Sequence, residues 1–328
     1  MAEPLYLGID VGSVSTNLAA INKNGETVYS SYFRTKGQPI ETVKKGLKEL
    51  GTALGPNLRI AGAGTTGSGR NLAAVMLGAD VVKNEITTHA VAASQLCPGV
   101  NTVLEIGGQD SKLIILRHGV VVDFAMNSVC AAGTGSFLDQ QAARLGIPIE
   151  EFGGLALKAK NPVRIAGRCS VFAESDMIHK QQLGNSIADI IAGLCAALVR
   201  NYLNNLAKGK SLREPVVFQG GVAANAGIKK AFETALGLEI VVPPEYGVMG
   251  AYGAALLARA GVKDRPTTFF GLGISEKLHS SCSFYCRDCA NTCEVVELSC
   301  EDSVLARWGD RCGKWSATPR DVPFLSRY

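Results

Sequence analysis

Two stretches of this chain follow one plan. The segment "LYLGIDVGSVSTNLAAINKNGETVYSSYF", from Leu5, runs as an apolar segment, a Gly/Ser turn, a second apolar segment, an Asn-Gly turn and a third β-rich segment. The segment "VLEIGGQDSKLIILRHGVVVDFAMN", from Val103, repeats it, and a gapless overlay sets Asp10 on Glu105, Gly12 on Gly107, Ser15 on Asp110 and Thr16 on Ser111. Short β-rich runs separated by tight turns predict a β-meander. Each meander precedes helical material, "ETVKKGLKELGTAL" in the first case and "TGSFLDQQAARLG" in the second. A sheet must cover its apolar face, and the helices are there to do so. The repeat therefore predicts two related α/β lobes facing each other across a cleft, with the first over residues 1–95 and the second over 96–262.

The rest of the chain fills in those lobes. Apolar positions recur at helical spacing through "SVFAESDMIHKQQLG" and "SIADIIAGLCAALVRNYLNNLAKG", the second reading as a buried helix. "PVVFQGGVAAN" is a buried strand entering a Gly-Gly turn, "AGIKKAFETALG" a helix, "LEIVVPP" a strand and "GVMGAYGAALLARAG" a helix of small residues. After about Lys263 the composition shifts to a Cys-rich tail without helical periodicity, so a third unit is expected over 263–328.

Length and composition agree. With 328 residues, 47% hydrophobic and 19% charged, the chain can form two or three real cores. Lys plus Arg is 33 against 29 for Asp plus Glu, a net charge of +4 without a basic block, which argues against nucleic acid as a partner. The N-terminus lacks the pattern of a signal peptide, and no run approaches the roughly eighteen apolar residues of a membrane span. A cytoplasmic protein is expected. Ten cysteines in a reducing compartment then point to metal ligation or redox chemistry rather than to disulfides.

The turns "DVGSVST" and "EIGGQDS" combine glycine, hydroxyl and carboxylate. Glycines let backbone N–H groups approach phosphate oxygens, hydroxyls donate further bonds, and carboxylates hold Mg²⁺ directly or through water. Either loop alone reads first as an ordinary tight turn. The paired copies, with a third Gly-Gly turn at Gly220 and Gly221 after a strand, favour a nucleotide held between them. "GTTGSGRN", Gly64 to Asn71, misses the P-loop pattern because Arg70 and Asn71 replace its Lys and Ser/Thr. No G-x-G-x-x-G opens the first helix, which removes a Rossmann reading.

Cys130, in "NSVCAAGTGSF", and Cys169, in "GRCSVFAESDMIH", each precede an expected helix start. Unpaired N–H groups and the positive end of the helix dipole favour a thiolate or an anionic cluster there. Two buried, inert thiols are the plain alternative. Two copies of the chain would supply four thiolates, the number a [4Fe-4S] cluster takes. Cys97 and Cys195 lie in apolar helical surroundings and read as core. In the tail, Cys286, Cys289 and Cys293 form C-x₂-C-x₃-C and Cys312 completes a tetrahedral set, with Cys282 and Cys300 spare and either able to take the place of Cys312. Structural Zn²⁺ is favoured over a second cluster there.

Asp10-Val11-Gly12-Ser13 with Ser15 and Thr16, then "IGGQD", then "GGVAAN", resemble the two phosphate motifs and the adenosine motif of the acetate kinase, sugar kinase, Hsp70 and actin superfamily. With "NSVCAAGTGSF" and "GRCSVFAESDMIH" the chain resembles, more narrowly, the activator ATPases of 2-hydroxyacyl-CoA dehydratases and benzoyl-CoA reductases. The resemblance covers about residues 5–260. It implies ribonuclease-H-like lobes of the actin/Hsp70 type around an ATP/ADP and Mg²⁺ site. Asp10, Glu105 and Asp110 would be catalytic there, and Gly12, Ser13, Val14, Ser15, Thr16, Gly107, Gly108, Gln109, Gly133, Gly220, Gly221 and Asn225 would hold the nucleotide. It further implies a homodimer sharing one [4Fe-4S] cluster through Cys130 and Cys169. Ferredoxin or flavodoxin would be the donor, and an iron–sulfur dehydratase, a benzoyl-CoA-type reductase or a double-cubane cluster protein the acceptor. Glu105 stands where superfamily members commonly carry Asp. The tail resembles a subgroup associated with double-cubane proteins. A sugar-type kinase, with Asp110 activating a hydroxyl, and a non-catalytic nucleotide sensor are the alternatives; the kinase leaves the two cysteines unexplained.

Overall fold

The computed structural model describes residues 3–55, 58–263, 265–301 and 303–316. The chain divides into two compact units, Met1–Thr88 with Gly250–Tyr328, and His89–Met249.

The first unit opens with β1 (Pro4–Val11), β2 (Ser15–Ile21) and β3 (Thr27–Arg34), then α1 (Pro39–Leu54), β4 (Arg59–Thr66), α2 (Arg70–Leu77) and β5 (Val81–Val82). Its sheet runs in the order β3-β2-β1-β4-β5. The meander pairs are antiparallel and β1/β4 and β4/β5 are parallel. Helix α3 (Glu85–Leu96) leads into the second unit, where β6 (Thr102–Ile106), β7 (Ser111–Arg117) and β8 (Val120–Asn127) form the second meander. Then come α4 (Gly135–Leu145), α5 (Ile149–Ala156), α6 (Ser170–Gln182), α7 (Ile187–Tyr202), β9 (Val216–Gln219), α8 (Ala226–Leu236) and β10 (Ile240–Val241). Read from β8, the second sheet is β8-β7-β6-β9-β10, with the same parallel and antiparallel pairings as the first.

The likeness extends to a defect. A register shift falls between Ala20 and Ile21 in the first meander and between Ile115 and Leu116 in the second, positions that coincide in the gapless overlay. A bulge adds one residue and local twist, and in both meanders the extra residue, Val28 and Val122, lies on the third strand.

The first core joins Leu7, Ile9 and Leu18 to Val43, Leu47 and Leu50 of α1. Helix α9 (Met249–Val262) brings the chain back to this unit. Its small residues have a packing reason: a Cβ on Gly8 of β1 would lie 1.9 Å from the Ala251 carbonyl oxygen, and one on Gly64 of β4 would lie 2.4 Å from that of Ala254. Backbone meets backbone there, which leaves room only for Gly at those two strand positions. The following chain adds Phe269, Ile274 and Leu298 to the same core, Leu298 from the three-stranded antiparallel sheet of β11 (His279–Tyr285), β12 (Glu294–Cys300) and β13 (Ser303–Trp308).

In the second unit α7 is the core helix. Ile190, Ile191, Leu194, Leu198 and Tyr202 are buried with Phe218 of β9 and Phe232 of α8, and Phe232 meets both other rings edge to face. The segment Ile187–Ala207 is long and apolar enough to cross a membrane by length and composition, contrary to the expectation that no run approached that length. Its burial in this core accounts for its apolarity without a bilayer.

Candidate functional site

Each glycine loop closes in the same way. Between β1 and β2 the Gly12 amide donates to the Ser15 carbonyl at 2.8 Å, and between β6 and β7 the Gly107 amide donates to the Asp110 carbonyl at 3.0 Å. Asp10 lies opposite Thr66 on β4, and Glu105 lies opposite Gln219 on β9. Behind each carboxylate stands a glycine of positive φ, Gly67 at 91° and Gly220 at 88°. A Cβ on Gly67 would lie 2.4 Å from the Val11 carbonyl oxygen and 2.5 Å from Asp10 Oδ1. One on Gly220 would lie 2.4 Å from the Ile106 carbonyl oxygen and 2.8 Å from Glu105 Oε1. Gly250 closes in on Asp10 from α9, where a Cβ would come within 2.1 Å of Oδ2. The segment that failed as a P-loop is therefore the first unit's counterpart of "QGGVAAN". The gapless overlay missed it because the spacing from meander to fourth strand differs between the halves.

Several buried polar atoms on these loops have no hydrogen-bond partner among the described residues: Asn17 Oδ1, Ser111 Oγ, Gln219 Oε1 and Asn225 Nδ2. Buried polar groups are normally satisfied. Asn225 caps α8, its Oδ1 accepting from the Ile228 amide at 3.1 Å, which leaves the amide nitrogen to give. Thr16, by contrast, is committed: its hydroxyl bonds that of Thr35 at 3.0 Å, and Thr35 donates to the Gly12 carbonyl. Glycine-lined loops beside carboxylates, with donors and acceptors left over, fit a phosphorylated ligand and its divalent cation.

Glu105 is buried beside Lys112, whose Nζ lies 3.1 Å from Glu105 Oε2 and 2.9 Å from Asp110 Oδ2. The Tyr202 hydroxyl donates to the Lys112 carbonyl at 2.6 Å. Burial, reinforced by the negative charge of Glu105, holds that phenol well above its usual range. The second loop is also fastened to α4: the Gly135 and Ser136 amides donate to the Gly107 and Gly108 carbonyls, both at 2.8 Å, and the Ser136 hydroxyl bonds Gly108 as well. Gly133 is buried just ahead of that helix, and Gly221 begins the 3₁₀ turn after β9.

That fastening leads directly to Cys130. The residue caps the 3₁₀ turn Ala131–Gly133 ahead of α4, and Cys169 caps α6. Both are partly exposed. Asn127 holds the Cys130 backbone from both sides, its Oδ1 accepting from the amide and its Nδ2 donating to the carbonyl, each at 2.9 Å. Asn201 of α7, itself buried, donates to the Gly167 carbonyl at 2.7 Å and lies 3.8 Å from Cys130 Sγ. Cys130 Sγ is also 3.8 Å from the Arg168 carbonyl, one residue before Cys169. The two cysteine-bearing turns thus meet, and Val129, Val171 and Phe172 stand exposed beside them. Asn127 and Asn201 were not singled out from sequence. Asn127 lies inside the quoted motif, but Asn201 sits in the last turn of α7 with no local signal.

Among the described residues no three His, Cys, Asp or Glu side chains form a group that could hold a metal ion. The tail set expected from Cys286, Cys289, Cys293 and Cys312 is thus not assembled. The Cys286 thiol is buried and directed to Asp288 at 3.5 Å, while Cys289 and Cys312 are exposed. An ion pair from Lys314 to Asp288 and the edge-to-face contact of Trp315 with Phe284 close this region instead. Two thiols per chain lie outside such a count, so it leaves the Cys130 and Cys169 pair where it stood. Cys195 is core as expected, and burial pushes its thiol up to about 12. Cys97 is only partly buried.

Two like α/β units, each with a carboxylate and a glycine loop at the end of its first strand, define a nucleotide-binding protein of the two-lobed ATPase class. The chain belongs to the BadF/BadG/BcrA/BcrD ATPase family, whose profile matches residues 7–258. Over 253 residues it is 37% identical to the (R)-2-hydroxyglutaryl-CoA dehydratase activating ATPase of Acidaminococcus fermentans, spanning 77% of this chain and 96% of that one. The crystal structure of component A of that organism's (R)-2-hydroxyglutaryl-CoA dehydratase matches with a TM-score of 0.71 at 35% identity, over 78% of this chain and 98% of that one. The activator of the 2-hydroxyisocaproyl-CoA dehydratase from Clostridium difficile, with bound ADPNP, gives 0.72 at 31% identity, over 79% and 96%.

Proposed function

We propose that this protein is an ATP-dependent activator that delivers low-potential electrons to an iron–sulfur enzyme. The reading gives Asp10, Glu105 and Asp110 to the Mg²⁺–nucleotide, with Gly12 to Thr16, Gly107 to Gln109, Gly133, Gly220, Gly221 and Asn225 around it. Cys130 and Cys169 from each of two copies hold one [4Fe-4S] cluster, which when bound supplies one-electron transfer. Ferredoxin or flavodoxin is the donor. The acceptor is a 2-hydroxyacyl-CoA dehydratase, a benzoyl-CoA-type reductase or a double-cubane cluster protein. The relatives named as dehydratase activators support this direction.

One observation carries the reading: the hydrogen bonds from Gly135 and Ser136 to Gly107 and Gly108, which place the expected phosphate loop and the Cys130 turn at either end of one short connection. A phosphate drawing on the loop moves the start of α4, and with it the thiol. The energies are commensurate. Raising one electron by about 200 mV costs roughly 5 kcal/mol, at about 59 mV per tenfold. Switching a two-state protein from about 1:99 to 99:1 takes about 5.5 kcal/mol of differential binding.

Anaerobic reconstitution tests it. Cys130→Ala and Cys169→Ala should each lose bound iron and the visible absorption of the cluster while keeping nucleotide affinity. If both single variants retain a full cluster, the reading falls.

A further inference from the structure

Lys112 has no part in the reading above, yet it is the most deeply placed charge of the second loop. It is 2% exposed and Glu105 3%, and its ammonium touches one oxygen of Glu105 and one of Asp110. An ammonium removed from water is tolerated only when compensated, and here two carboxylates share the task. At the overlaid positions the first loop carries Asn17 for Lys112 and Ser15 for Asp110. At these overlaid positions that loop thus has one carboxylate and no lysine. The second has two carboxylates and one ammonium, which brings the local charge to the same value, −1.

Two carboxylates that converge on one point also suit a hard divalent cation, which takes oxygen ligands from such pairs. In this chain the converging point is filled by Nζ. We propose that Lys112 is a positioning residue whose ammonium occupies the place between Glu105 and Asp110 that a divalent cation would otherwise take, so that the site acquires its metal only together with nucleotide phosphates. The inference deepens the nucleotide reading of this loop and rests on it. It leaves Oε1 of Glu105, and not Oε2, to meet Mg²⁺ directly or through water. It also explains why a second acidic residue is tolerated in the second loop alone.

The test uses the full chain and Mn²⁺ as the probe, followed by electron paramagnetic resonance without nucleotide. The wild type should bind Mn²⁺ only when ADP or ATP is added. Lys112→Gln should bind Mn²⁺ alone at least about tenfold more tightly than the wild type, because a unit charge has left a pair of carboxylates in direct contact with it. Its melting temperature should rise with Mn²⁺ or Mg²⁺ alone, whereas that of the wild type and of Lys112→Arg should not. Adding Asp110→Asn to Lys112→Gln should remove the gained metal site. A lysine kept only for packing would give none of these metal responses. If Lys112→Gln does not fold, the wild type still decides: tight Mn²⁺ binding without nucleotide overturns the proposal, and a strict requirement for nucleotide supports it. If the wild type binds no nucleotide, the functional reading of the loop has failed, and the Mn²⁺ response of Lys112→Gln still tests the lysine by itself.

Discussion

The first and second loops are closed by equivalent backbone hydrogen bonds, backed by glycines at φ 91° and 88°, and carried on sheets of one topology with a bulge at one overlaid position. Their side chains then part. The first loop commits Thr16 to Thr35 and keeps a single carboxylate at Asp10. The second carries an ion triad and is bonded through Gly135 and Ser136 to a helix that begins just after a cysteine turn. Backbone geometry follows from strand pattern and glycine placement, which duplication preserves. Charge and connection follow from individual side chains, which are free to diverge. The backbone is thus what the two loops share, and the side chains are what would make one of them responsive to a thiol.

The largest expected effect tests the shared part. Gly67→Ala and Gly220→Ala each put a Cβ into a positive-φ position about 2.4 Å from a carbonyl oxygen. Each should cost about 1–3 kcal/mol of stability, the usual range for a residue forced into strained backbone. Each should also weaken nucleotide binding by about tenfold or more, about 1.4 kcal/mol, by displacing Asp10 or Glu105. Chemical denaturation and nucleotide titration measure both. If one substitution is neutral while the other is severe, the two glycines are not counterparts.

Next in size is the feature that belongs to the second unit alone. Asn201→Ala removes the donor shared by the Gly167 carbonyl and the Cys130 sulfur. Loss of a supporting bond of this kind typically costs about 10–100-fold in metal retention. If Cys130 holds the cluster as proposed, iron release to a chelator should accelerate to that extent with nucleotide affinity unchanged, and Asn201→Asp, which keeps the shape and loses the donor, should behave like the alanine variant. Equal iron retention in all three proteins would show that the asparagine only packs.

The sequence made the meanders legible because period and turn chemistry are local, and the overlay of Asp10 on Glu105 was enough to locate both loops. It also placed Cys130 and Cys169 ahead of helices, since Gly-Thr-Gly and Ser-Val-Phe starts are short-range signals. Three things were not legible. Gly67 as the partner of Gly220 requires the fourth strand, whose distance along the chain differs between the halves. Asn201 acts through tertiary contact from the last turn of an apolar helix. The chain's return to the first unit at Gly250 has no boundary marker, because the small residues of α9 report how closely backbones pack and not which sheet they pack on. In the tail the cysteine spacing suits zinc, while side-chain direction is set by tertiary packing: Cys286 turns inward to Asp288, and Cys289 and Cys312 face solvent.

The smallest effect concerns the segment leading to Cys169, which has no counterpart in the first unit. It is pinned to α7 at three points: Asp189 accepts from the Lys160 and Asn161 amides at 2.9 and 2.7 Å, Arg200 donates to the Ile165 carbonyl, and Asn201 donates to Gly167. The Ser186 hydroxyl, followed by the Asn161 and Lys160 amides, holds the Asp189 carboxyl below its ordinary range. A depressed carboxyl stabilises the fold above its unfolded value, about 3.9, and that contribution fades as pH falls through the folded value. Asp189→Asn should therefore melt slightly below the wild type at neutral pH, and the two should converge in acid as the wild-type carboxyl takes up its proton. Asp189 is at the surface, so the difference should be small and salt should shrink it further. A gap that persists unchanged into acid would assign the contact to geometry rather than charge, leaving Arg200 and Asn201 as the polar anchors of the Cys169 turn.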